Sequence, residues 1–244
     1  MAMMEFENTV SIAGFNVHKT TAADLARHLH ARMRAGVNSL VLFANTNFIV
    51  KCRTLIPALH ASRALIVNDG VGMDLAARLI YRDSFPENLN GTDFTPYLMR
   101  TAPRPLRVFL LGGKPHVVRR AAEYVRHTLK HEVAGVCDGY AGISDIQLLS
   151  RIKRSQADML LVALGNPIQE QWILQYREAL NVPLVMGVGA LFDFWAGDKP
   201  RAPRLVQSLR LEWFYRLCLE PRRLLRRYTL DMVRFFLHCH RYRS

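Results

Sequence analysis

Several features that would narrow the function at once are missing from this chain of 244 residues. Its four cysteines, Cys52, Cys137, Cys218 and Cys239, stand far apart and form no CxxC pair. A disulfide framework and a zinc ribbon are thereby excluded, and a reducing cytoplasm is the expected setting. His238, Cys239 and His240 contain ligand-type side chains, but alternate positions on a helix point in different directions, so the cluster reads as structural. "MAMMEFENTV" has no basic start followed by an apolar run, so no secretory signal is expected. The longest apolar stretch, "VPLVMGVGALFDFWAG", is broken by glycines and Asp193 and falls short of the ~20 apolar residues of a spanning helix. "LLGGKPH" lacks the GxxxxGK[ST] spacing of a P-loop, and "GVGALF" lacks the third glycine of a dinucleotide fingerprint. No GxSxG elbow and no HExxH pair occurs, which removes serine-hydrolase and zinc-protease chemistry. There is no DxD triplet, no internal repeat and no low-complexity linker.

What is present is a large apolar fraction, 50% of the residues, in a strand-and-helix alternation. "SLVLFAN", "RALIVND", "RVFLLGG", "DMLLVALG" and "PLVMGVG" are short β-rich runs, each ending at Gly, Asn or Asp. Helical patterns such as "HVVRRAAEYVRHTLK" and "IQEQWILQYREAL" lie between them. Strands apolar on both faces and separated by helices imply an α/β fold: a Rossmann-like, mainly parallel sheet covered by helices on both faces. "TVSIAGFNV" is expected to add a hairpin or edge strand. The expected division is a core over 1–203 and a basic helical appendage over 204–244.

Open parallel sheets bind ligands outside the carboxyl ends of their strands. Asn45, Asp69, Gly112 and Gly113, Gly165 to Gln169, and Gly187 to Asp193 all fall at such ends. A βα turn needs Gly, Asn and Asp for its own geometry, so any single turn is equally well explained as structure. Five together favour a crevice. In "LIVNDGVGMDLA", Asp69 is either a turn residue or a catalytic base. In "LGNPIQEQW", Pro167 marks a helix start, with Gln169 and Glu170 in its first turn. Gln169 carries an amide able both to donate to and accept from a sugar or base. The glycine-rich turns can offer backbone N–H groups and helix N-termini to a diphosphate.

The formal net charge is +13, and residues 201–244 hold eleven arginines against three acids. Such a segment meets either nucleic acid or an anionic membrane surface. Leu224, Leu225, Tyr228, Met232, Phe235 and Phe236 recur at helical spacing, with Arg222, Arg223, Arg226, Arg227 and Arg234 filling much of the rest. That amphipathic pattern favours the membrane surface over nucleic acid. A core-facing helix with a solvated basic face gives the same pattern. The competing class is a non-catalytic nucleotide- or nucleic-acid-binding protein with a basic tail.

The motifs "NDGVG", "NGTDF", "FLLGGKP", "CDGY", "LGNPIQEQW", "GVGALFDFWAGDKPRAP" and "LRLEWFYRLCLEPRRLLRR" resemble, in order and spacing, the WecG/TagA/CpsF glycosyltransferase family. The likeness covers about residues 40 to 230. It implies a bacterial enzyme that moves a sugar from a UDP-sugar onto a polyprenyl-diphosphate-linked saccharide, inverting to a β-linkage, in surface or exopolysaccharide synthesis. By the resemblance Asp69 is the catalytic base. The expected substrate-binding residues are Asn45, Asn68, Asp93, Gly112, Gly113, Gly165, Gln169, Glu170, Gly187, Asp193, Arg201, Arg216 and Arg223. Asn47 stands where the family usually has an acid, Ile168 replaces a common Lys, and Ala190 replaces the second Gly of "GVGG". The donor is therefore UDP-glucose or UDP-N-acetylmannosamine or its uronic acid, and the wording of "NLNGTDF" leans toward glucose.

No cofactor, no metal and no nucleic acid is expected. The anionic inner face of the plasma membrane is the expected docking surface for a cytoplasmic, peripherally attached protein, and a homo-oligomer remains open. With no DxD triplet, arginines and helix N-termini are left to stabilise the diphosphate. Transfer is accordingly expected to survive excess EDTA. Activity lost on chelation and restored by Mg²⁺ or Mn²⁺ contradicts this.

Overall fold

The computed structural model describes residues 8–140, 143, 147–203, 206, 212–219 and 229–242. A hairpin opens the chain, with β1 (Thr9–Ile12) antiparallel to β2 (Phe15–His18). Its two turn residues, Ala13 and Gly14, have φ of 51° and 87°. Positive φ at both positions is the turn geometry that matches the twist of paired strands.

The remaining strands are β3 (Ser39–Ala44), β4 (Leu65–Asn68), β5 (Arg107–Gly112), β6 (Glu132–Cys137), β7 (Met159–Ala163) and β8 (Leu184–Gly187). They form one eight-stranded sheet in the order β1-β2-β4-β3-β8-β7-β5-β6, and every pairing except β1–β2 is parallel. The central strands are apolar on both faces because each face is covered. Leu40, Leu42, Phe109, Leu111, Leu160, Val162 and Val185 point into one layer. Their neighbours Val41, Phe43, Val108, Leu110, Leu161, Leu184 and Met186 point into the other. Side chains alternate across a strand, so a run with no polar position needs helices on both sides.

On the second layer lie α1 (Ala22–Arg34), α5 (Gly91–Arg100), α6 (Pro115–Glu123) and α9 (Leu191–Trp195), through residues such as Leu29, Phe94, Val118 and Phe192. The first layer is covered by α2 (Thr46–Lys51), α3 (Ile56–Ala61), α4 (Val71–Leu79), α7 (Leu148–Arg154) and α8 (Ile168–Leu180). The C-terminal segment supplies α10 (Glu212–Leu219) and α11 (Leu230–Arg241).

Of the tail's apolar stripe, Leu224, Leu225 and Tyr228 lie outside the described residues, as do Arg222, Arg223, Arg226 and Arg227. The part carried by α11 faces inward. Phe235 and Cys239 are completely buried in the first core layer, with Met232 and Phe236 packed against it. Gly72 makes this docking compact: a Cβ there would collide with the Thr46 methyl and sit 3.7 Å from Met232. The Tyr81 hydroxyl accepts from the Ala13 N–H at 2.9 Å and donates to the Cys239 carbonyl at 3.0 Å, tying hairpin to α11. Arg53 donates to the Tyr242 hydroxyl at 2.8 Å at the far end of α11. Within 230–241, core packing thus takes up Met232, Phe235, Phe236 and Cys239, and α11 shares the first core layer with the sheet.

Phe235→Ala is expected to destabilise the fold by about 3–5 kcal/mol, the range for truncating a buried phenylalanine. Urea denaturation measures it. A loss under about 1 kcal/mol would show that α11 is dispensable to the core.

Candidate active site

The strand order diverges at the centre of the sheet. β3 continues outward to β4 on one side, while β8 and β7 occupy the other. Loops leaving neighbouring strands in opposite directions open a crevice at the strands' carboxyl ends. A pocket of about 490 Å³ occupies that place.

Its walls come from six segments. Phe43 lies in β3, and Asn45, Asn47 and Lys51 follow it; Asp69 follows β4; Gly91 and Thr92 start α5. Gly165, Asn166 and Gln169 follow β7, and Gly187 to Ala190, with Phe194, follow β8. Asp231 from α11 completes the lining. β4 and β8 flank β3, so their ends are separated by two strand spacings, roughly 10 Å, which is the width of a sugar ring with its contacts.

Asp69 is half-buried, and its main chain is held in register by a bond from its N–H to the Ala44 carbonyl at 2.7 Å. The next residue, Gly70, adopts φ 97° and donates to the Asn88 side chain at 2.8 Å. Positive φ at Gly70 turns the chain from strand to helix and leaves the Asp69 carboxylate on the pocket wall. Asn45 has two tasks. Its Oδ1 accepts from the Phe48 N–H at 3.1 Å, capping α2, and its Nδ2 donates to Asp69 Oδ2 at 3.2 Å. The cap fixes the amide's orientation, and the amide orients the carboxylate.

On the opposite wall the Gln169 Oε1 accepts from the N–H groups of Gly189 at 3.0 Å and Gly165 at 3.3 Å. Its Nε2 donates to Glu170 at 2.7 Å, as does Asn166 Nδ2 at 2.7 Å. The Asn166–Pro167 peptide is cis. Glu170 is only 1% exposed, and burial pushes its carboxyl above the usual carboxylate range, partly offset by the bonds from Gln169 and Asn166. Gly187 packs against Gln169: a Cβ there would lie 3.0 Å from Nε2.

Five of the residues singled out in the sequence therefore meet in the pocket: Asn45, Asp69, Gly165, Gln169 and Gly187. The others do not line it. Asn68 is wholly buried beneath it and donates to Asp74 at 3.2 Å. Asp93 pairs with Arg201 at 2.7 Å, and Asp193 with Lys199 at 3.3 Å, on the flanks of pocket residues Thr92 and Phe194. Gly112 has φ 128° and a Cβ there would collide with the Ala163 carbonyl, while the Gly113 N–H is given to that same carbonyl at 3.1 Å. These glycines serve strand packing. Glu170 lies behind the wall. Arg216 is on α10, its side chain not among those described, and Arg223 is outside the described residues.

Sequence reasoning missed Lys51, Thr92 and Asp231 as lining residues. Asn166 was legible in "LGNPIQEQW", between a turn glycine and the helix start. Asp231 carried no signal, because only the docking of α11 brings it to the pocket.

Across the crevice of this Rossmann-like sheet, the Asp69 carboxylate, oriented by Asn45, shares a pocket with the glycine-containing turns after β7 and β8. Residues 10–244 match the Glycosyl transferase WecG/TagA/CpsF family, and the chain belongs to that family. It is similar to the N-acetylglucosaminyldiphosphoundecaprenol N-acetyl-beta-D-mannosaminyltransferase of Bacillus subtilis (strain 168), at 31% identity over 226 residues, covering 89% of this chain and 85% of that protein.

Proposed function

We propose that the protein transfers a sugar, with inversion, from a UDP-sugar to a saccharide carried on a polyprenyl diphosphate. The observation that carries this reading is the Asp69 carboxylate, oriented by Asn45, in one pocket with the start of α8 and the Gly187–Ala190 turn. A single base takes the acceptor hydroxyl proton while the departing UDP gathers negative charge on the other side of the anomeric carbon. The start of α5, the turn into α8 and Lys51 line the same pocket, and their helix N-termini and ammonium group suit that charge. The relative's name supports an N-acetylmannosaminyl donor and an undecaprenyl-linked acceptor. Two of the positions that depart from the family pattern, Asn47 and Ala190, line the pocket, whereas Ile168 is exposed outside it. Those two positions are where a different sugar, glucose included, is accommodated.

The lipid-linked acceptor requires the enzyme to reach a membrane, and among the described residues no helix is long and apolar enough to cross one. The inward face of α11 is occupied, so the docking surface is its outward face together with α4. Val233 and Leu237, 59% and 63% exposed, stand one turn apart on α11; Leu75 and Leu79 do the same on α4. Exposed Arg78, Arg82 and Arg234 accompany them. Apolar side chains entering the headgroup boundary beside arginines suit an anionic bilayer.

UDP release from a panel of UDP-sugars with a lipid-linked acceptor tests the reaction. Asp69→Asn is expected to lower turnover by ~10²–10⁴-fold with the fold intact, the range for removing a general base. Wild-type turnover in that variant sinks the assignment. For docking, Val233→Asp with Leu237→Asp is expected to abolish co-sedimentation with phosphatidylglycerol vesicles without lowering stability, since both side chains are solvated. Undiminished co-sedimentation would place the docking surface elsewhere.

A further inference from the structure

We propose that Glu170 is a positioning residue whose buried carboxylate dictates which way the amides of Asn166 and Gln169 face, and so gives one wall of the pocket its pattern of acceptors. The inference rests on the sugar-nucleotide reading above for its ligand, and on geometry alone for its mechanism.

A carboxylate accepts hydrogen bonds and donates none. Three donors converge on Glu170: Asn166 Nδ2 and Gln169 Nε2 both reach Oε1 at 2.7 Å, and the Cys52 thiol reaches Oε2 at 3.5 Å. Burial and the adjacent carboxylate both push the Cys52 thiol up, so it stays a donor. An amide side chain is nearly symmetric in shape and has two orientations of opposite polarity. Beside Glu170 only one is allowed, with the NH₂ turned inward.

Everything toward the pocket follows. The Gln169 oxygen must face the other way, where the Gly165 and Gly189 N–H groups meet it and tie the β7–α8 turn to the β8–α9 turn. The Asn166 oxygen must face Asn47, which donates Nδ2 to it at 3.2 Å. The Asn47 amide is then itself oriented. A carbonyl oxygen has two lone pairs. The Asn166 oxygen, with one used by Asn47, and the Asn47 oxygen are thus left presenting acceptor capacity on the lining. The wall is an acceptor of hydrogen bonds from hydroxyl or amide N–H donors, the groups a sugar or its acetamido substituent carries. Charge-assisted bonds are roughly twice as strong as neutral ones, so an ionised carboxylate is the effective group to hold this polarity.

The experiment compares the full-length wild type with Glu170→Gln and Glu170→Leu. Two readouts are taken: affinity for UDP and UDP-N-acetylmannosamine by calorimetry, and the side-chain ¹H–¹⁵N amide signals of Asn166 and Gln169. Glu170→Gln keeps the packing and one carbonyl acceptor but no charge; Glu170→Leu keeps bulk only. The amide protons are expected to move upfield in the Gln variant and to exchange rapidly with solvent in the Leu variant. UDP-N-acetylmannosamine affinity is expected to fall about threefold in Gln and tenfold or more in Leu, with UDP alone less affected. Equal affinity for the sugar nucleotide in all three proteins overturns the proposal. So do unshifted amide signals in Glu170→Gln, which decides the matter even where the Leu variant fails to fold. A wild type that binds no sugar nucleotide overturns the proposed function, and the amide signals then test the positioning role independently.

Discussion

A strand buried on both faces has no place for a polar side chain until it ends. Five adjacent parallel strands here, β3, β4, β5, β7 and β8, are almost wholly apolar, because helices cover both faces of the sheet. The polar residues that the chemistry needs are thereby confined to the strand termini. Parallel pairing puts all of those termini along one edge. Where β3 parts from β8 the loops separate, and the residues at that gap, Asn45, Asp69, Gln169 and Gly187, share a pocket. Residues at the ends of β5 and β6, away from the gap, are drawn instead into packing. Gly112 at the Ala163 carbonyl shows this directly.

The pocket's polarity comes from groups held behind its surface. Asn45 is oriented by the α2 cap before it touches Asp69. Gln169 and Asn166 are oriented by Glu170 before they meet a ligand. A buried carboxylate is unfavourable by itself. Its three donors offset part of that penalty, and the remainder is retained at the site, where burial leaves the carboxyl harder to ionise. Placing such a group beside the crevice is intelligible if pre-set amide orientation matters to binding, since reorienting amides during reaction would itself oppose catalysis.

The C-terminal helix joins two requirements. Its inward face completes a core layer through Phe235 and Cys239, and its first turn puts Asp231 on the pocket lining. Its outward face leaves Val233 and Leu237 in solvent. Core, site and surface therefore meet within twelve residues.

By itself the sequence determined the fold class, because doubly apolar runs of strand length alternating with helical periods admit few architectures. It also put Asp69, Asn45, Gln169 and several glycines at strand ends, since turn chemistry places such residues there whatever the strand order, while the roles given to them came from the family resemblance. Strand order was not legible. Which strand ends adjoin the gap depends on long-range pairing, so Gly112 and Gly113 looked equivalent to Gly187 in the sequence. Glu170 looked like a first-turn acid facing substrate, because helical position alone does not say whether a side chain turns toward solvent or core. The same ambiguity governed α11: an amphipathic period is identical for a helix packed on a core and one laid on a bilayer. Only the tertiary structure decided that Phe235 goes inward, Val233 outward, and Asp231 to the pocket, because burial is a property of neighbours and not of spacing.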